Sequence, residues 1–297
     1  KSQLITFGGK VMSIAFMANT QHLIYREDIL KKAGVSVPTT LEEVLEACRI
    51  IRAKGLLKNP FAAAYKAGWN LAEEFVNMYL GHGGKFFKPG SPKPAINNKT
   101  GVAALKALKA LTGYSNPDFL TFESEGVKAQ WEAGQVALMF MWASRAPTLL
   151  DDEGSTPEIV ANTKLTGPVT VAGGSTPVGT LWWDGFVISE NVSEADAEAT
   201  FRALVRGASS SEMANKNSGQ AVWLIKDFTP GPYSVGVLAA AKAGANSYPM
   251  EPHMGLMHNA IGAEIIEFLQ GRESAKKALA DVEAAYVTAA KESGFLK

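Results

Sequence analysis

The 297-residue chain contains one cysteine, so no internal disulfide can form. It has no excess of either charge: 29 Lys and Arg balance 29 Asp and Glu. A nucleic-acid binder usually carries a basic excess, so that class is excluded as a leading reading. No apolar run approaches the ~20 residues that span a bilayer as a helix. Phosphate-loop, dinucleotide, serine-hydrolase and zinc-protease motifs are all missing. There are no internal repeats and no low-complexity tracts. The chain opens on KSQLITFGGK, without an initiator Met or a signal-peptide apolar core. The expectation is therefore a chain that starts inside a fold.

What is present reads as α/β, with helix outweighing strand. Extended structure is expected from Leu4 to Ile24, interrupted by the polar Asn19-Thr20-Gln21, then over 135–141 and 180–188, with a short strand near 169–171. Thr40 and Glu43 form a capping box for the helix that holds Cys48. Cys48 shares a stripe with Leu41, Val44, Leu45 and Ile51 and reads as a small buried hydrophobe. Gly34 and Gly134 follow helices as terminators, and Ser193 and Ser274 cap later ones. Trp131 sits one turn from Val127 and reads as core, as does Trp223.

The aromatics carry the chemistry. Trp142, Trp182 and Trp183 stand where strands end, and Trp69 precedes a helix. A flat indole packs on the apolar face of a sugar ring while neighbouring polar groups take the hydroxyls. For each Trp alone, core burial is the competing reading. Asp184 adds a carboxylate beside the Trp pair. Arg145 is open between contacting a ligand and forming a solvated helix charge. Adjacent acids such as Glu73/Glu74 and Asp151/Asp152 are explained by surface solvation, since sequence neighbours do not face each other on a helix. In MEPHMGLMH, Met250, His253, Met254, Met257 and His258 are either soft ligands for Cu(I) or a flexible apolar wall.

The stretch GKVMSIAFMANTQHLIYREDILKKAGVSVPTTLEEVLEACRII resembles the ABC-transporter extracellular solute-binding proteins of the sugar-binding, maltose-binding-protein-like type. The matching positions include Gly9, Lys10, Asn19, Thr20, Leu23, Tyr25, Arg26, Asp28, Ala33, Gly34, Pro38, Thr40 and Glu43, with Leu41 where Trp is frequent. NNKTGVAALKALKAL, EAGQVALMFMW, DGFVISENVSEADAEATFRALV and FLQGRESAKKALADVEAAY are similar to later family motifs, in the family's order. Trp182 and Trp183 stand where the family usually has glycines.

The resemblance implies a two-lobe, helix-rich, type II periplasmic-binding-protein-like fold whose first lobe is incomplete at its N-terminus. Residues 1–24 and 184–230 would form the remainder of the N-terminal lobe, and 25–183 with 231–297 the C-terminal lobe. Hinge crossings are expected near 19–25, 180–186 and 228–234, with Ser247 to His253 close to the third. The implied function is a non-enzymatic receptor that closes on a small carbohydrate or polyol and delivers it to an ABC importer. The ligand-binding set is Asn19, Gln21, Trp69, Trp142, Arg145, Trp182, Trp183, Asp184, Met250 and His253. No cofactor or metal is expected. Expected partners are the ligand and the permease subunits, with contact to the membrane only through the permease or a lost lipid anchor. The location is periplasmic or extracellular and membrane-attached. A carbohydrate-active hydrolase and a Met/His copper protein are the alternatives.

Overall fold

A computed structural model describes residues 4–7, 9–151 and 153–297. Seven strands are present among them: β1 (Leu4–Phe7), β2 (Lys10–Arg26), β3 (Phe61–Ala62), β4 (Leu138–Trp142), β5 (Thr163–Leu165), β6 (Leu181–Phe186) and β7 (Val222–Trp223). The architecture turns on β2. At 17 residues it is far longer than the usual five or six, and it serves two sets of partners. Residues 10–20 pair antiparallel with β1, β6 and β7, whereas 21–26 pair antiparallel with β4 and β5. β3 extends the second set, parallel to β4.

The sequence leads one to expect a break in this strand at Asn19-Thr20-Gln21, but β2 runs through all three. Each polar side chain has a partner that lets the backbone stay extended. Asn19 Nδ2 donates to Ser144 Oγ at 3.2 Å, Thr20 Oγ1 donates to the Thr180 carbonyl at 2.8 Å, and Gln21 Oε1 accepts from Asn77 Nδ2 at 3.0 Å. Beside them, the Leu181 N–H donates to the Asn246 carbonyl at 2.8 Å, and Leu181 bridges Ser247 in parallel. So three segments, 19–21, 180–182 and 246–247, run side by side. Residues 228–234 do otherwise: the Thr229 N–H donates to Asn215 Oδ1, and Pro232–Ser234 is one turn of 3-10 helix.

The main apolar core lies on the β3–β4 side. It joins the helices Glu27–Ala33, Leu41–Ala53, Trp69–Gly81, Lys99–Thr112, Met254–Glu264 and Ala275–Glu292. Local chemistry sets their ends as the sequence predicts. Thr40 and Glu43 make a complete capping box, Gly34 is left-handed at φ 70°, and Ser193 and Ser274 accept N–H bonds from the first turns they cap. Cys48 is buried in this core, and burial pushes its thiol up to about 12, which fits the inert reading. Trp131 is buried in a second cluster with Val127. The expected strand near 169–171 reduces to bridges from Thr170 to Thr40 and Pro177. On the β1–β6 side, the helix Glu194–Ala208 has no buried residue, and Ile14, Phe186 and Phe201 are exposed.

Candidate functional site

Two indoles owe their position to the register of β2. Asn19 lies opposite Trp182 of β6, and Gln21 lies opposite Trp142 of β4. Residues 19 and 21 differ by one strand repeat, so both partners project from the same face. The Trp69–Gly81 helix crosses that face and presents Trp69 from its first residue. The three rings meet: Trp69 and Trp142 centroids are 6.4 Å apart, Trp69 and Trp182 5.9 Å, and Trp142 and Trp182 5.8 Å. Trp69 stays 49% exposed, so the group is a platform with an open side rather than a sealed core.

Tyr248 and His258 extend it. Tyr248 lies 4.3 Å from Trp182, and His258 lies 5.0 Å from Trp69. The His258 ring is held at both nitrogens, Nδ1 by the Tyr248 hydroxyl at 2.8 Å and Nε2 by the Trp69 carbonyl at 2.9 Å. Burial lowers its pKa, so the imidazole is neutral near neutral pH. The loop before Trp69 needs glycine. Gly68 has φ 95°, and a Cβ on Gly262 would stand 2.3 Å from the Gly68 carbonyl oxygen.

Beneath Trp182 lies a buried polar network. The Trp182 N–H is shared between Glu73 Oε1 at 3.0 Å and Thr180 Oγ1 at 2.8 Å. The Thr180 N–H donates to Asn77 Oδ1 at 2.7 Å. Glu73 and Glu74 are both buried, which corrects the surface reading of this acid pair. Their helix is covered on nearly all sides, so residues off the apolar stripe are enclosed as well. Burial raises each carboxyl to about 8.

The remaining expected residues divide. Asp184 follows Trp182 on the same face and is exposed; partial burial raises its carboxyl above the usual range. Asn19 is half-buried on that face and tied to Ser144. Gln21 is only 4% exposed and its carbonyl oxygen is bonded to Asn77, so it holds the frame rather than facing solvent. Trp183 points to the other side of β6, opposite Ala18. Arg145 forms an ion pair with Glu125. His253 packs against Phe87 at 4.3 Å, away from the platform, and Met250 is exposed. Met254 and Met257 are core residues, so the Met/His stripe is not a donor set; its copper reading gives way to the apolar one.

Glu73, Thr180, Tyr248 and His258 belong to the site and were not singled out for it by the sequence. Apart from the Thr180–Trp182 contact, their partners stand ten to 189 residues away along the chain, and no local pattern encodes that. Among the described residues, no helix is long and apolar enough to cross a membrane.

The fold is that of solved solute-binding proteins. One from Agrobacterium radiobacter K84, in complex with ribitol, superposes with a TM-score of 0.80 at 22% identity, covering 97% of this chain and 73% of the other. The maltose-bound MalE3 of T. maritima gives 0.82 at 18% identity, over 97% and 76%. A protein from Agrobacterium vitis S4 with bound D-mannitol gives 0.77 at 17% identity, over 99% and 78%. These likenesses establish a type II periplasmic-binding-protein fold, helix-rich and α/β. A curated relative, a "Probable ABC transporter-binding protein" of Deinococcus radiodurans, is 30% identical over 143 residues, which is 46% of this chain and 34% of the relative. The chain thus spans about a third of that relative's length. The sequence profile of the bacterial extracellular solute-binding proteins matches residues 4–205. The chain belongs to that family of bacterial extracellular solute-binding proteins.

Proposed function

We propose that this chain is the ligand-gripping part of an ABC-importer receptor that captures a small, neutral carbohydrate or polyol and acts without catalysis. The observation that carries this reading is the Trp69–Trp142–Trp182 platform at the point where β2 passes from one set of strands to the other. Rings of this kind offer the apolar C–H face of a sugar or polyol a matching surface, and Asp184 and Asn19 supply polar contacts at the rim. The bound ribitol, D-mannitol and maltose of the structural relatives support the same ligand class. Arg145 is engaged by Glu125 and the platform carries a carboxylate, so an anionic sugar acid is disfavoured.

Segments 19–21, 180–182 and 246–247 serve as the crossings between two lobes in this account. A ligand touching both sides stabilises the closed form by its differential affinity for it. Permease subunits on the outer face of a membrane then read the closed form, which gives a periplasmic or cell-surface location. Hydrolysis is not favoured. Its two carboxyls must flank a scissile bond, whereas Glu73 is enclosed under Trp182 and Glu74 is its neighbour.

A thermal-shift screen with polyols, neutral sugars, amino sugars and sugar acids tests the proposal. Stabilisation follows RT ln(1 + [L]/Kd), so a ligand present at about a hundred times its Kd adds roughly 2.7 kcal/mol. Neutral polyols or sugars are expected to give the largest shifts. A panel led by sugar acids, or no shift from any member, overturns the reading.

A further inference from the structure

Glu73 touches the platform from below through the Trp182 N–H, and its two oxygens are used unequally. Oε1 faces the Trp182 N–H at 3.0 Å and the Thr180 hydroxyl at 2.9 Å. Oε2 is buried and has no partner. An ionised carboxylate here would bury a charge with one oxygen lacking any donor, whereas the protonated form leaves only a neutral O–H there, at a smaller desolvation cost. With Oε1 already accepting from Trp182 and Thr180, Oε2 is the oxygen on which a proton fits, leaving Oε1 as a carbonyl acceptor. Indole N–H is donor-only, so the half-buried Trp182 ring is aimed at acceptors, Glu73 Oε1 together with Thr180 Oγ1.

Among the described residues, the titratable groups around this carboxyl supply no cation. Glu74 is buried with Oε1 unpartnered, Tyr248 is raised by burial and by Glu73, and His258 is lowered by burial. On β2, His22 is buried on the other face, against Gly236. Burial raises Glu73 itself to about 8.

We infer that Glu73 is a positioning residue: through Oε1 it fixes the Trp182 indole from beneath and so sets the surface on which the ligand stacks. This rests on the proposed function for its ligand but not for its geometry. It also makes the platform pH-sensitive. Loss of the Oε2 proton brings a charge under the ring and against Glu74, and the Trp182 contact reorganises.

The test compares wild type with Glu73→Gln, Glu73→Leu and Glu74→Gln, each titrated with ribitol, D-mannitol and maltose, and each followed by near-UV circular dichroism from about pH 6.5 to 9. Glutamine keeps an oxygen acceptor and places an N–H₂ where the proton sat. Glu73→Gln is expected to bind within about threefold of wild type near neutral pH and to keep that affinity at about pH 9, where wild type loses about tenfold. Glu73→Leu is expected to lose about tenfold at every pH. The wild-type dichroism change, centred near 8 as the Glu73 carboxyl is, should persist in Glu74→Gln and shrink by at least half in Glu73→Gln. Unchanged affinity in Glu73→Leu, or a dichroism change untouched by Glu73→Gln, overturns the inference. If Glu73→Leu does not fold, the glutamine variants decide. If none of the three compounds binds wild type, the strongest stabiliser of the thermal-shift screen takes their place; a screen without one fails the ligand class, while the dichroism arm still rules on Glu73.

Discussion

Trp182 and Trp183 are adjacent in sequence and lie on opposite faces of β6. Trp182 stands opposite Asn19 and turns toward Trp69 and Trp142, whereas Trp183 stands opposite Ala18. Strand alternation alone separates their roles. Trp182→Ala is expected to weaken polyol or sugar binding by about tenfold or more, roughly 1.4 kcal/mol or above. Trp183→Ala is expected to change affinity by no more than about threefold. Isothermal titration of both variants checks this; equal losses would put the ligand on neither face in preference.

Gly262 sets how closely the helix Met254–Glu264 approaches the loop that carries Trp69. A Cβ there would sit 2.3 Å from the Gly68 carbonyl oxygen and 2.6 Å from its carbon. Both obstacles are backbone, which cannot rotate away as a side chain can. Gly262→Ala is therefore expected to lower stability by about 1–3 kcal/mol and to displace Trp69. Denaturant unfolding with ligand titration should show both losses; a stable variant with wild-type affinity contradicts the packing argument.

Buried carboxyls give stability a sign with pH. Glu73 and Glu74 hold protons in the folded chain up to about 8, well above their ordinary 4.5. The unfolded chain has released those protons by then, so stability present below the ordinary value is lost as pH rises toward 8. Near pH 6.5 the unfolded chain still half-protonates each histidine, so His22, His253 and His258, whose values the fold lowers, oppose this fall there; by about pH 7.5 they are neutral in both states and oppose it little. Stability should fall most steeply between about pH 7.5 and 8, by up to ~1.4 kcal/mol per pH unit for each carboxyl, and Glu73→Gln should lessen the slope. Urea midpoints that rise across this window contradict it.

Arg145 and Glu125 form a solvent-facing pair, with side chains 40% and 58% exposed. Such pairs contribute about 0–1 kcal/mol. Arg145→Gln is expected to shift the melting temperature little and to leave the affinity for a neutral polyol within about twofold. A tenfold loss in titration would show that Arg145 leaves Glu125 to meet the ligand.

The sequence made the local rules legible. The Thr40–Glu43 capping box, the left-handed glycines 34 and 134, and the Ser193 and Ser274 caps all stand as read, because each depends on residues within one turn. Trp131 followed from its helical spacing. The burial of Glu73 did not follow from spacing. Its enclosure comes from Trp182 and Thr180, more than a hundred residues away. Nor did the unbroken β2, whose polar centre is extended because Ser144, Thr180 and Asn77 satisfy it. Trp69, Trp142 and Trp182 could be suspected one at a time, but only strand register and one helix start bring them together. His253 and Met250 shared a segment with His258, yet only His258 faces the rings.

In the proposed receptor a small polyhydroxylated ligand lies on the indole platform. A crystal structure with the strongest stabiliser from the thermal screen tests it most directly. Ligand carbons are expected within about 4 Å of the Trp182 ring face and of Trp69 or Trp142, with a hydroxyl on Asp184 or Asn19. Ligand density elsewhere, with the three indoles packed as they are now and nothing upon them, would contradict it.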